Sequence, residues 1–129
     1  MKPITLLTLL LVSLNANAMT LDEVYKTYSP EGAGAFNADR GKQIWNSKNI
    51  SAKGDERHCG ICHGDNLSKP GKHIKTKKLI EPLARSANPE RFTDVKKIQK
   101  WFTRNCKWTL GRECSNQEKG DLIKYLSQF

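Results

Sequence analysis

Cys59-Gly60-Ile61-Cys62-His63 constrains this chain more than any other stretch. It is a C-x-x-C-H pentapeptide, the attachment pattern of c-type haem. Two thiols three residues apart reach the two vinyl groups on one edge of a porphyrin and form thioethers. The histidine that follows is then held beneath the iron and supplies an imidazole nitrogen as proximal ligand. The same cysteine spacing serves thioredoxin-like and zinc sites. The first goes with a βαβ pattern, which the sequence lacks. The second needs four ligands, and Cys106 and Cys114 form no second C-x-x-C. The reading is therefore one covalent haem c, held by Cys59 and Cys62, with His63 on the iron.

Residues 1–18 read as a secretory signal. Lys2 gives the positive start, Ile4 to Leu14 an apolar run, and Ala16-Asn17-Ala18 a small-x-small cleavage site. The apolar run is too short to span a bilayer comfortably, and no later segment is long and apolar enough. The expectation is a single domain over 19–129 in the periplasm, with no membrane insertion after cleavage. That compartment is oxidising, so Cys106 and Cys114 are expected to pair, stabilising the fold by roughly 2–3 kcal/mol. Only 37% of the residues are hydrophobic, so the apolar core is modest and cofactor and fold depend on each other. The net charge of +9 does not point to nucleic acid in an exported haem protein. It suits steering toward an acidic redox partner, or it is a solvated basic surface that matters for solubility alone.

Helical patterns dominate. Thr20 to Glu23 resembles a capping box, and Leu21, Val24, Tyr25 and Tyr28 follow at helical spacing. Pro30, Gly32 and Gly34 mark a turn over Ser29 to Ala35. Asn37 suits the cap of a second helix running to about Ser47. There Gly41 and Trp45 share a face on which a small residue permits close crossing. Lys48 to His58 reads as a polar connection. Residues 64–88 are basic, punctuated by Gly and Pro, and suited to draping over a haem. One helical turn is expected within Leu79 to Arg85, interrupted by Pro82. Asn88-Pro89 reads as a cap and first helical position, ahead of the stripe Val95, Ile98, Trp101, Phe102. Ser115 to Glu118 is a second capping box, followed by Leu122, Tyr125, Leu126 and Phe129. This last helix is expected to cross the Gly41/Trp45 helix. Strand patterns are absent.

The second axial ligand is the open question. Small electron-carrying cytochromes c commonly use methionine there, but the chain has only Met1 and Met19, both ahead of Cys59. His58 adjoins Cys59 and does not reach the opposite face. His73 is a candidate distal imidazole, although a histidine among lysines is more often a surface or hydrogen-bonding residue. Several lysines are within the same chemical reach, and none is distinguished.

A resemblance bears on this. Asn88-Pro89-Glu90-Arg91-Phe92-Thr93-Asp94, Trp101-Phe102, Arg104-Asn105-Cys106, Leu110-Gly111-Arg112-Glu113-Cys114 and Glu118-Lys119-Gly120-Asp121 resemble the sphaeroides haem protein (SHP) family of monohaem cytochromes c. The likeness runs from about Asn37 to the end, and the Arg-Asn-Cys element with its paired second cysteine is its specific part. Lys77 stands where related sequences often have glycine, and Arg85 where proline is common. The resemblance implies an all-α, class I cytochrome c-like fold around one covalent haem. It implies Asn105 as sixth ligand in the ferric state and a Cys106–Cys114 disulfide. Trp101 and Phe102, one turn before Asn105, would then shield the distal pocket.

The implied chemistry follows from the donor. An amide oxygen is hard, neutral and weak, so it suits ferric iron better than the softer ferrous ion. Reduction would then detach Asn105 and open a position for oxygen, nitric oxide or carbon monoxide. The resemblance implies a dihaem cytochrome c as electron donor. Oxidoreductase action on oxygen or nitric oxide is compatible with such a site but is not written in the sequence. The competing expectation is a low-spin electron carrier using His73, without gas chemistry.

Overall fold

A computed structural model describes residues 18–29 and 33–129. The expected signal over 1–18 lies outside the described residues except for Ala18, as does the Pro30–Gly32 part of the expected turn. The order of elements is α1 (Leu21–Tyr28), α2 (Ala38–Asn46), β1 (Asn49–Ile50), β2 (Glu56–Arg57), α3 (Gly60–His63), β3 (Gly71–Lys72), β4 (Leu79–Ile80), α4 (Val95–Leu110) and α5 (Asn116–Leu126). Strands β1 and β2 pair antiparallel, with Asn49 opposite Arg57. Strands β3 and β4 do the same, with Lys72 opposite Leu79.

Side-chain caps start the helices where the sequence places them. Thr20 with Glu23 and Ser115 with Glu118 form complete capping boxes, each satisfying two N–H groups that a helix start leaves unpaired. The Asn37 side chain accepts from the Arg40 N–H. The fourth start differs from expectation. The Asn88 N–H donates to the Ala84 carbonyl, and the Asn88 carbonyl accepts from Arg91. Phe92 then takes a left-handed φ of 61°, a conformation that no helix can run through. Helix α4 begins only after Asp94, whose side chain accepts from the Lys97 N–H.

Two loop expectations are also corrected. Leu79–Ile80 is strand, and the helical turn lies beyond Pro82, at 84–88, closed by Asn88 N–H on Ala84 O. Proline lacks an N–H and pushes the residue before it toward extended backbone, so the turn forms only downstream. The Lys48–His58 connection is a hairpin, not an open link.

The tightest packing is the crossing of α2 and α5. Gly41 is buried there, and a Cβ on it would collide with the Asp121 carbonyl and the Tyr125 Cβ. Only glycine lets the two backbones meet. The Asp121 side chain, almost fully buried, accepts from Asn37 N–H at 2.6 Å, Arg40 Nε at 2.8 Å and Gln117 Nε2 at 3.0 Å. A buried carboxylate is tolerated when its oxygens are bonded in this way. Burial alone would push its pKa up. The bonds from Arg40, the Asn37 N–H and Gln117 outweigh that and hold it below the usual range.

The core has two parts. One is built on Trp45, Leu67, Ala84, Cys106, Cys114, Leu122 and Leu126. The other is built on Val24, Tyr28, Ile98 and Ile123, and Phe92 and Phe102 pack against both. Helix α4 turns Ile98 and Cys106 inward. Cys106 is joined to Cys114 by a disulfide, as expected. Met19 is tied in place by its N–H on the Thr93 carbonyl at 3.0 Å.

Candidate haem site

Helix α3 is a single turn formed by the pentapeptide itself. The His63 N–H donates to Cys59 O, and Gly64 N–H to Gly60 O. One turn brings residues three apart to the same side, so Cys59 and Cys62 are arranged to grip one edge of a planar group. Cys59 packs against the Trp45 cluster, as do Leu83, Phe92 and Phe102. The ring of Trp45 lies 5.5 Å from that of His63.

The titration state of His63 suits metal ligation. Burial, helped by the positive charge of Arg91, pulls the His63 pKa down to about 4. The imidazole is then neutral at physiological pH and keeps a nitrogen lone pair for a metal. Burial, with a smaller contribution from Cys62, pushes the Cys59 thiol up to about 11. Arg91 donates from Nε to Pro82 O and from a terminal nitrogen to Glu81 O, both at 2.7 Å. This pins the 81–82 loop beside the site.

The β3–β4 hairpin sits directly on the attachment helix. Gly71 lies against the Cys62 carbonyl and the His63 Cα, leaving no room for a Cβ. The Ile74 N–H points at the Cys62 sulfur at 3.4 Å. The draping segment is therefore an ordered hairpin. His73 lies within it and spends its Nδ1 accepting from the N–H groups of Lys75 and Thr76, at 3.3 and 3.0 Å. Lys77 closes the turn with a left-handed φ of 59°, a strained conformation for any residue but glycine.

Helix α4 meets β2, just ahead of the attachment motif. Trp101, Asn105 and Trp108 fall at i, i+4 and i+7, and Trp101 and Asn105 are exposed. Phe102 does not share that face. It meets Tyr28 edge to face at 6.3 Å in the core, while Trp101 lies beside Arg104 and Lys100. Arg57 ties α4 to the attachment segment: its guanidinium lies 4.8 Å from the centre of the Trp108 ring and donates to the Trp108 carbonyl at 3.0 Å. Beside this clasp is a cleft of about 410 Å³ lined by Asp55, Glu56, Arg57, Ile61, Ile74, Lys75 and Trp108. Ile61, between the two cysteines, and Trp108, one turn beyond Asn105, thus border the same space.

Sequence reasoning missed Arg57, Ile74, Arg91 and Trp108. Trp108 had a signal, since it repeats Trp101 seven residues on. Arg91 lies in the 88–94 run that carries the family resemblance, without a role assigned there; Arg57 and Ile74 are placed by long-range packing and had none.

The residues fit a haem c. Two thiols and a neutral imidazole are its attachment and proximal donors, and the surrounding apolar side chains suit a porphyrin. The Nε atoms of Arg57 and Arg85 are buried without a partner among the described residues. Such donors call for acceptors, and a haem brings two carboxylates.

Known proteins agree with this assignment. The family described as Domain of unknown function (DUF1924) matches residues 31–126. Cytochrome c-type protein SHP of Cereibacter sphaeroides is 38% identical over 100 residues, 78% of this chain and 77% of that one. Cytochrome c'' of Methylophilus methylotrophus is 43% identical over 86 residues, 67% of this chain and 60% of its own. The structure of oxidized SHP, described as an oxygen binding cytochrome c, superposes with a TM-score of 0.79 and 34% identity. That match covers 88% of this chain and all of that one. The solution structure of cytochrome c'', presented for the structural basis of haem-ligand detachment, gives a TM-score of 0.67 at 35% identity, covering 82% and 90% of the two chains. The helical frame is thus that of the class I-like cytochromes c. The chain belongs to the DUF1924 family and to the SHP family of monohaem cytochromes c, with one covalently attached haem c as its cofactor.

Proposed function

We propose that this is a periplasmic redox cytochrome that opens its iron to diatomic gases on reduction. Residues 1–18 act as the export signal, and 19–129 form the cytochrome domain. Cys59 and Cys62 tether the haem, His63 is the proximal ligand, and Asn105 is an exchangeable sixth ligand of the ferric state. Electrons come from another cytochrome, a dihaem cytochrome c by family resemblance. Any turnover is oxidoreductase chemistry on oxygen or nitric oxide.

The observation that carries this reading is the shared cleft. Trp108 borders the same space as Ile61 of the attachment motif, and Asn105 occupies the same side of α4 one turn earlier. Asn105 is exposed among the described residues, so its amide is free to face a guest. A haem c held here by Cys59, Cys62 and His63 would supply redox chemistry and a metal able to bind a small gas. The protein supplies the rest. His63 stays neutral and bound. The Asn105 carboxamide offers an oxygen to the more highly charged ion and an NH2 donor to a polar diatomic. The Cys106–Cys114 bridge and the Arg57–Trp108 clasp limit the travel of the α4 backbone, so release is a swing of one side chain. Oxygen binding by SHP and haem-ligand detachment in cytochrome c'' support that sequence of events. The rival carrier reading needs His73 as a firm ligand, and its Nδ1 already accepts two backbone N–H bonds within its own turn.

Replacing Asn105 with valine removes the carboxamide and tests the assignment. The expected outcome is a changed ferric spin state and faster cyanide binding, read by electron-paramagnetic and optical spectra. An unchanged spin state with unchanged rates would remove Asn105 from the iron.

A further inference from the structure

Helix α4 differs from the other long helices in its charge. Over Val95–Leu110 it carries Lys96, Lys97, Lys100, Arg104 and Lys107 and no carboxylate, whereas α1, α2 and α5 each mix both signs. Lys97, Lys100, Trp101 and Arg104 fall at i, i+3, i+4 and i+7, the spacing of one helical face. All four are exposed. Lys107 is paired with Glu113 at 3.0 Å, but Lys97, Lys100 and Arg104 form no ion pair among the described residues. Trp101 is 48% exposed. The Lys100 ammonium and the Arg104 guanidinium lie 5.9 and 5.6 Å from the centre of its ring. Ile98 and Cys106 anchor the opposite side of the helix in the core, so the basic face is held outward.

A face of unpaired cations around an exposed tryptophan suits the surface of a bilayer. Lysine and arginine reach lipid phosphate oxygens, and an indole settles among headgroups with its ring in apolar surroundings and its N–H in water. Protein interfaces are depleted in lysine, which weighs against an acidic protein as the occupant. No described helix is long and apolar enough to cross a membrane, so the contact is peripheral. Asn105 adjoins this face, one turn beyond Trp101. A chain seated in this way holds the Asn105 side of α4 near lipid, where apolar gases dissolve better than in water.

We infer that the Lys97, Lys100, Trp101 and Arg104 face of α4 seats the protein on a bilayer of anionic phospholipid. The seat stands on this face alone. Its use, supply of gas to the iron from the lipid, rests on the reading that Asn105 is the exchangeable ligand.

The test follows the holoprotein, by its haem absorbance, onto sedimented vesicles at low ionic strength. Vesicles of phosphatidylglycerol mixed equally with phosphatidylcholine should bind it, vesicles of phosphatidylcholine alone should not, and added salt should release it. Changing Lys97, Lys100 and Arg104 together to Gln is expected to lower the partition about hundredfold, since each cation near such a surface is worth about fivefold. The single change Arg104→Gln, which disturbs the helix least, should cost about fivefold by itself. A control with Lys26, Lys42 and Lys124 changed to Gln, on α1, α2 and α5, has the same net charge as the triple variant of α4 and should lose less than about fivefold. Equal losses in the two triple variants, equal binding to the two kinds of vesicle, or no binding by the unaltered protein overturns the proposal. So does retention of the unaltered protein by immobilised polyglutamate without binding to vesicles, because the face would then serve an acidic protein. Carbon monoxide uptake by the reduced protein free in solution reads the iron without lipid. A failure there removes the gas-supply use and leaves the seat on lipid standing.

Discussion

The α2–α5 crossing and the β3–β4 hairpin each depend on one glycine pressed against a neighbouring backbone, yet they serve opposite ends. At the crossing, Gly41 meets Asp121, and the contact is sealed by a carboxylate with four donors around it. Both sides are buried, and nothing there faces a ligand. At the hairpin, Gly71 meets Cys62, but the remainder of the hairpin exposes Lys72, Lys75, Lys77, Lys78 and Leu79. The crossing closes the scaffold, whereas the hairpin packs against the attachment helix and leaves its outer side to solvent. Damage to the first should appear as lost stability. Damage to the second, at Gly71 itself, should appear chiefly in the behaviour of the haem.

The largest expected effect breaks the crossing. Gly41→Ala forces a methyl group into backbone atoms that cannot retreat, at a cost of about 3 kcal/mol, the upper part of the usual range for overpacking. Urea unfolding of the holoprotein measures it. A loss below half that figure would mean the helices slide apart easily.

Asp121→Asn is next, at about 2 kcal/mol for a buried acceptor that loses its charge-assisted bond to half-exposed Arg40. Its pH dependence sharpens the point. The Asp121 pKa is lowered in the folded state, so its contribution is present above the ordinary carboxylate value near 4 and is lost as pH falls through the lower folded value. The gap in stability between the natural protein and the variant should therefore narrow in acid. A gap that stays constant down to pH 2 would show that charge at Asp121 does not matter.

The smallest effect belongs to the hairpin. Lys77→Gly relieves a left-handed conformation and should raise stability by up to about 1 kcal/mol while leaving the haem spectrum unchanged. A loss of stability would mean that the Lys77 Nζ bond to Ile74 O outweighs the strain.

The two regions also differ in how readily the sequence revealed them. The crossing was legible because its signals are local: Asn37 as a cap, Gly41 and Trp45 on one face, and a Ser115–Glu118 box that starts the partner helix. The pentapeptide was legible for the same reason. The hairpin was not, since its strands are two residues long and cannot show an alternating pattern. The start of α4 misled because Asn88-Pro89 looks like a cap, yet Asn88 bonds into a turn and Phe92 adopts a left-handed φ before Asp94 caps the helix. Arg57 lies two residues before Cys59 but acts through Trp108, fifty-one positions away, and no local pattern announces such a pairing. Asn105 entered through family resemblance alone, because an exposed helical asparagine carries no signal of its own.

The central claim is that the reduced iron is open on the Asn105 side. Stopped-flow mixing of the dithionite-reduced protein with carbon monoxide tests it most directly. If the claim holds, binding is complete and its rate rises in proportion to carbon monoxide concentration without levelling off. A rate that saturates at a value independent of gas concentration would mean that a protein ligand must first dissociate, and the claim would be wrong.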